Sequence, residues 1–166
     1  MLTWFMGSVE SVRSISATRL VRIESEDTGV AVIRFNSGAL GVLEATTATR
    51  PKDLEGSISI LGEKGSVVIG GFFMNELLTW NFADSQAGDE TAFDTHGTNP
   101  DDFAYNHGEY LRGVIATIQT RKAALVDGLE GRKSLELITA LYESIETDAD
   151  VHLRFRPKKC RLGLAS

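Results

Sequence analysis

Cysteine is almost missing from this chain. Cys160 is the single one among 166 residues, so no internal disulfide can form and a disulfide-built module is excluded. Proline, at 3 residues, is too scarce for a proline-rich linker or a collagen-like repeat. No apolar run approaches the roughly 18 residues that a membrane span requires. The opening Met1-Leu2-Thr3-Trp4-Phe5-Met6 has no basic residue before it and no small-residue cleavage site after it, so no secretory signal is expected. No G-x-G-x-x-G and no phosphate-binding P-loop occurs anywhere. What remains is a cytoplasmic globular chain, 42% apolar, of a size that one domain spanning 1–166 accommodates.

Charge is unevenly spread. Every acidic residue lies at or before Asp150, so residues 1–153 carry a net −11, whereas five basic residues from Arg154 onward give the tail +5. An acidic body argues against nucleic acid as a partner, because binding of that kind needs a basic face to displace counterions from phosphate. The tail (Arg154, Arg156, Lys158, Lys159, Arg161) has no aromatic platform and reads as a solvated terminus.

Leu2, Trp4, Phe5 and Met6 are apolar, Gly7 follows at a C-cap position, and no Ser, Asp or Asn caps a start. This pattern suits a helix whose beginning lies upstream. From Ser8 to Phe82 the sequence reads as strand after strand. Val9–Ala17 and Gly29–Phe35 come first, and Asn36-Ser37-Gly38 turns the chain into Ala39–Thr49. Ser57–Leu61 and Ser66–Ile69 flank the turn Gly62-Glu63-Lys64-Gly65, and Leu77–Phe82 follows. Residues 83–102 form a long polar excursion. A first helix is expected from the capping-box-like pair Asn106-x-x-Glu109, with His107, Tyr110, Leu111, Val114, Ile115 and Ile118 at helical spacing. A second, from about Glu130 to Thr147, stacks Leu135, Ile138, Tyr142 and Ile145 on one stripe. Val151–Arg156 closes as an alternating strand.

The expected fold is therefore α+β: an open-faced, largely antiparallel (mixed) sheet of five to seven strands with helices on one face. Alternation sorts Ile58, Ile60, Leu78, Trp80, Phe82, Val151, Leu153 and Phe155 to one face. Ser57, Ser59, Thr79, Asn81, His152, Arg154 and Arg156 fall on the other. Two helices cover only one face of such a sheet, and the small polar face left open suits another subunit, so a homo-oligomer is expected.

Residues with chemistry are few. Asp94-Thr95-His96 with Asp101 and Asp102 lacks ligand spacing on a rigid element, so no metal is expected. Cys160 has no assigned histidine partner to make it a nucleophile. Gly62-x-x-Gly65 and Gly70-Gly71 read as turn glycines. His107, at the expected helix start where free N–H groups attract anions, and Tyr110, one turn on, are candidates for substrate contact. Arg50, beside Pro51 at a strand end, can clamp a phosphate or carboxylate.

The segment Phe35-Asn36-Ser37-Gly38-Ala39-Leu40-Gly41-Val42-Leu43-Glu44-Ala45-Thr46-Thr47 resembles the signature hairpin of the glucose–fructose oxidoreductase and inositol dehydrogenase family. Leu61-Gly62-Glu63-Lys64-Gly65-Ser66-Val67 is similar to its second hairpin. The run from Asp127 through Ile138 to Tyr142-Glu143-Ser144 is similar to its closing helix, and His107-Gly108-Glu109-Tyr110-Leu111 to the preceding one. The likeness runs from Leu2 to Phe155 and covers the family's C-terminal α/β domain. Arg50-Pro51, Gly70-Gly71 and Asn75 look closest to the branch acting on UDP-N-acetyl sugars and their uronates. The resemblance implies a Rossmann domain upstream that holds NAD or NADP, with a Glu-Lys-Pro lysine and a catalytic histidine. None of these has a counterpart here, so no catalytic or cofactor-binding residue carries over. The implied role is the substrate-side and oligomerisation half of an NAD(P)-dependent sugar or nucleotide-sugar oxidoreductase, inactive alone. The alternative is a stand-alone, non-catalytic binding or assembly module.

Overall fold

The structure, a computed structural model, describes residues 1–54, 56–71, 74–84, 86–91, 103–122 and 126–153. The loop residues Asp94, His96, Asp101 and Asp102, the basic tail from Arg154, and Cys160 lie outside them. Helix α1 (Leu2–Met6) leads into strands β1 (Val9–Ala17), β2 (Thr28–Phe35), β3 (Leu40–Thr46), β4 (Ile58–Gly62), β5 (Gly65–Gly70) and β6 (Glu76–Phe82). Helices α2 (Phe103–Thr120) and α3 (Gly128–Thr147) and the short strand β7 (Val151–His152) follow. This is the expected α+β class with open antiparallel sheets. Among the described residues seven strands are divided between a four-stranded sheet, ordered β3-β2-β1-β7, and a three-stranded one, ordered β4-β5-β6.

The chain falls into two compact units. The first comprises Met1–Ala48 with Val126–Ser166, the second Thr49–Leu125. In the first unit, β1 pairs antiparallel with β2, and β2 with β3 through the Asn36-Ser37-Gly38 turn. Gly38 takes φ 89° there, a left-handed value that glycine adopts without steric penalty. Helix α3 covers one face of this sheet, and Val9, Val12, Ile33, Phe35, Leu137 and Ala140 form the core between them. Leu2 and Met6 of α1 pack against its edge.

The face that α3 turns to the sheet differs from the expected stripe. Leu137, Ala140 and Ser144 are the buried residues, while Leu135, Ile138 and Tyr142 are 65%, 48% and 44% exposed. Small Ala140 and Ser144 let the helix approach the strands, a criterion that counting large apolar residues does not contain. The helix also starts two residues before Glu130, because the Asp127 carboxylate accepts the N–H groups of Leu129 and Glu130, each at 2.9 Å. Asp148 ends it in the left-handed region at φ 48°.

Ser144 has a second task. The N–H of Ser14 points to the β7 side of β1, but among the described residues β7 pairs with β1 at Ser11 and Val12 and does not reach Ser14. The Ser144 hydroxyl takes the place of the missing strand: it accepts from the Ser14 N–H at 2.9 Å and donates to the Ala149 carbonyl at 2.7 Å.

In the second unit, β4 and β5 form the hairpin anticipated around Gly62 and Gly65, which face each other across it. Val67 and Trp80 lie on one face with Ile60, while Ser59, Val68 and Thr79 share the other. A bulge between Val68 and Ile69 pairs Ile69 with Leu77 and breaks the strict alternation expected of β6. Gly65 is obligatory for a packing reason: a Cβ there would stand 2.3 Å from the Asn81 carbonyl oxygen and 2.9 Å from Phe82 Cα.

Candidate functional site

Arg50, His107 and Tyr110 all belong to the second unit. Arg50 lies four residues beyond the end of β3, which stops at Thr46 rather than at Thr49. The strand ends there because Thr28↔Thr46 is the last pair that β2 offers, and the Thr46 hydroxyl turns back to the Asp27 carbonyl at 2.9 Å. Arg50 is exposed, precedes a cis peptide bond to Pro51, and donates to the Thr49 carbonyl at 2.6 Å. Its guanidinium is thus tied on one side and open on the other.

His107 and Tyr110 stand one turn apart on α2, both exposed. The helix begins at Phe103, a turn earlier than the Asn106 start expected from the sequence. Phe103-Ala104-Tyr105 contains no breaker, so the helix extends through it, and Glu109 pairs with Arg112 instead of capping a start. His107 is therefore the fifth helical residue, past the four N–H groups that a helix start leaves free, and the anion-attracting position does not belong to it. The structure brings His107 and Tyr110 together on one helix and places Arg50 on a separate loop.

Two carboxylate clamps escaped sequence reasoning. Asp27, 2% exposed, accepts with Oδ2 from three successive backbone N–H groups, those of Arg19, Leu20 and Val21, at 2.8, 2.6 and 2.9 Å. The N–H bonds from Val21 and Leu20, outweighing burial, hold its pKa down at about 2. At neutral pH it is a fixed anion that organises the loop between β1 and β2, not a proton acceptor. Asp89 bridges the second unit in the same way. It accepts from the Gln86 N–H at 2.6 Å and from the Trp80 indole N–H at 2.8 Å, contacts that lower its pKa. Asp27 is held by backbone N–H groups and Asp89 by one backbone N–H and an indole nine residues away, so neither leaves a side-chain spacing to recognise.

Beside Asp27 an apolar cavity of about 380 Å³ opens between α3 and the first sheet, lined by Ala31, Leu43, Ile138, Leu141 and Ile145 among others. The Ser14 hydroxyl on its wall is buried and has no hydrogen-bond partner. Tyr142 at the cavity donates to the Glu26 carboxylate at 2.7 Å. Among the described residues no three His, Cys, Asp or Glu side chains gather to hold a metal ion. Gly62 and Gly65 sit in a hairpin, and Gly70 ends β5. None of these glycines opens onto a helix start, so they do not fit a dinucleotide pyrophosphate.

The family model described as the oxidoreductase family, C-terminal alpha/beta domain, matches residues 1–153. The chain belongs to this family. Among solved structures, the WlbA dehydrogenase from Bordetella pertussis in complex with NADH and UDP-GlcNAcA is 39% identical, with a TM-score of 0.86. The match covers 93% of this chain and 45% of that one. The WlbA dehydrogenase from Chromobacterium violaceum, in the same kind of complex, is 43% identical with a TM-score of 0.81, over 93% of this chain and 43% of its own. A levoglucosan dehydrogenase in complex with NADH and L-sorbose, 18% identical with a TM-score of 0.72, covers 93% of this chain and 47% of its own and shares the fold. The chain thus spans about half the length of these relatives. No curated protein matches it. No described helix is long and apolar enough to cross a membrane.

Proposed function

We propose that this domain is the substrate-side and oligomerisation half of a cytoplasmic NAD(P)-dependent dehydrogenase acting on a nucleotide sugar of the UDP-N-acetyl-uronate type. The observation that carries this reading is the identity of 39% and 43%, over nearly the whole chain, to two dehydrogenases solved with NADH and UDP-GlcNAcA. The glycine geometry is in keeping with a nicotinamide held outside these residues. Arg50 supplies a planar cation for a phosphate or carboxylate of the substrate, and its tether to the Thr49 carbonyl limits the entropy lost on binding. His107 and Tyr110 offer hydrogen-bonding groups to sugar or phosphate oxygens. The sheet face that α3 leaves uncovered meets a second subunit.

The test grafts this chain onto the N-terminal half of the Chromobacterium dehydrogenase and compares Arg50→Ala, His107→Ala and Tyr110→Phe in the chimera. Removing a residue that holds substrate equally in the ground and transition states raises KM and leaves kcat nearly unchanged. Variants that leave KM for UDP-GlcNAcA untouched would remove the three residues from the substrate contact.

A further inference from the structure

The helix-facing residues of β2 shrink steadily toward one end of the sheet. Phe35 and Ile33 fill the core, and Ala31 and then Gly29 follow on the same face. Their neighbours are small as well: Ala31 lies between Ser14 and Leu43, and Gly29 between Ser16 and Ala45. Above this end α3 carries Ile138, Leu141 and Ile145, which do not make up the missing bulk, and the cavity of about 380 Å³ is the result. Leaving such a space empty costs stability. The carboxylates at its rim are already engaged. Asp27 accepts the Thr28 hydroxyl at 3.1 Å besides its three N–H groups, and Glu26 accepts the hydroxyls of Tyr142 and Ser25 at 2.7 and 2.6 Å. Ser14 is different. It is 4% exposed, and its Oγ is the one buried side-chain polar atom without a partner among the described residues. Directly opposed residues share a face, so the Ser14 side chain lies with those of Ala31 and Leu43 on the cavity side.

We propose that this cavity is a binding site for a small uncharged molecule with an apolar body and one hydroxyl, which pairs with Ser14 Oγ. The size follows from the volume. An apolar cavity of about 150 Å³ holds benzene, so one of about 380 Å³ has room for two fused rings. The charge follows from the lining. Glu26 and Asp27 contribute to it, and among the described residues no Lys, Arg or His does. A phosphate or carboxylate would enter against two anions with no cation to meet it. An ammonium group would find both carboxylates already supplied with donors. A hydroxyl is what the site lacks, because it can accept from Ser14 Oγ or donate to it and so compensates a burial that is otherwise unpaid. This chemistry is the opposite of what a nucleotide sugar requires, and the inference stands independently of the reading above.

The experiment titrates the full chain at neutral pH with 2-naphthol, naphthalene and 2-naphthoate, read by backbone amide NMR shifts and by Tm. 2-Naphthol is expected to shift the amides of Ala31, Leu43 and Leu141 saturably and to raise Tm, and 2-naphthoate to bind about tenfold more weakly or worse. Ser14→Ala should weaken 2-naphthol about three- to tenfold and leave naphthalene within about twofold. Ala45 is exposed at the open end of the cavity, on the same face as Leu43. Ala45→Phe sets a ring there and should abolish binding of both, with circular dichroism confirming that the fold is intact. No saturable shift at these amides overturns the site, as does binding that survives Ala45→Phe. 2-Naphthoate binding as tightly as 2-naphthol overturns the charge argument, and a Ser14→Ala variant that keeps the full preference for 2-naphthol over naphthalene overturns the role of the hydroxyl.

Discussion

Removing the Ser144 hydroxyl is the sharpest perturbation of this fold. Ser144 is completely buried, and its oxygen joins the β1 N–H of Ser14, at 2.9 Å, to the Ala149 carbonyl, at 2.7 Å. Ser144→Ala leaves the Ser14 N–H buried with no partner, which costs about 1–3 kcal/mol. The Ala149 carbonyl lies at the surface and recovers a hydrogen bond from water, so its loss adds only about 0.5 kcal/mol. The expected destabilisation is about 1.5–3.5 kcal/mol, a large share of the 5–15 kcal/mol typical of a domain. For a chain of this size it corresponds to a fall in Tm of roughly 3–14 °C. Ser14→Ala provides the control. The Ser14 hydroxyl is buried without a partner, so its removal is expected to lie within about 1 kcal/mol of neutral, on the stabilising side. Urea unfolding followed by circular dichroism measures both, and an unchanged m-value licenses the comparison. A Ser144→Ala variant within about 0.5 kcal/mol of wild type, or a Ser14→Ala variant as damaged as it, would refute the edge-capping argument.

Three further outcomes are expected. The Asp27 pKa is depressed to about 2, below its unfolded value, so its stabilisation is fully present above about pH 4 and is lost as pH falls from there toward 2. Asp27→Asn should flatten the Tm profile in that window and lower Tm at neutral pH; a slope identical to wild type would count against the clamp. Gly65→Ala drives a Cβ to 2.3 Å from the Asn81 carbonyl oxygen and should destabilise the three-stranded sheet by about 1–3 kcal/mol, seen as faster amide exchange in β4–β6. Gly113→Ala adds a methyl where nothing lies within 4 Å and should stabilise α2 by about 0.5–1 kcal/mol. A loss of α2 protection in hydrogen exchange would show that this face is in fact occupied.

Much of the fold was legible because its turns are local. Asn36-Ser37-Gly38 and Gly62–Gly65 mark two hairpins by residue type alone, and β2 and β3 alternate cleanly. The face of α3 was harder. Its sheet-facing residues include Ala140 and Ser144, chosen for closeness, while Ile138, Tyr142 and Ile145 look out onto a cavity. The β6 bulge depends on the partner strand, and no pattern within Glu76–Phe82 encodes it. The start of α2 was placed a turn late because Asn106 and Glu109 imitate a capping box that the helix runs through. Of the candidate site, the residue types were legible and their setting was not. Arg50 turned out to be tethered in a loop, the Asp27 clamp uses backbone donors that leave no motif, and the Asp89 clamp joins one backbone N–H to the distant Trp80 indole.

The claim that this domain supplies the substrate side of a nucleotide-sugar dehydrogenase is tested most directly by turnover in the chimera with the N-terminal half of the Chromobacterium enzyme. Joined to that half, the chain should support NADH formation that depends on added UDP-GlcNAcA or a related nucleotide sugar. A chimera that folds and binds NADH, yet forms none with any nucleotide sugar or free sugar, would contradict it.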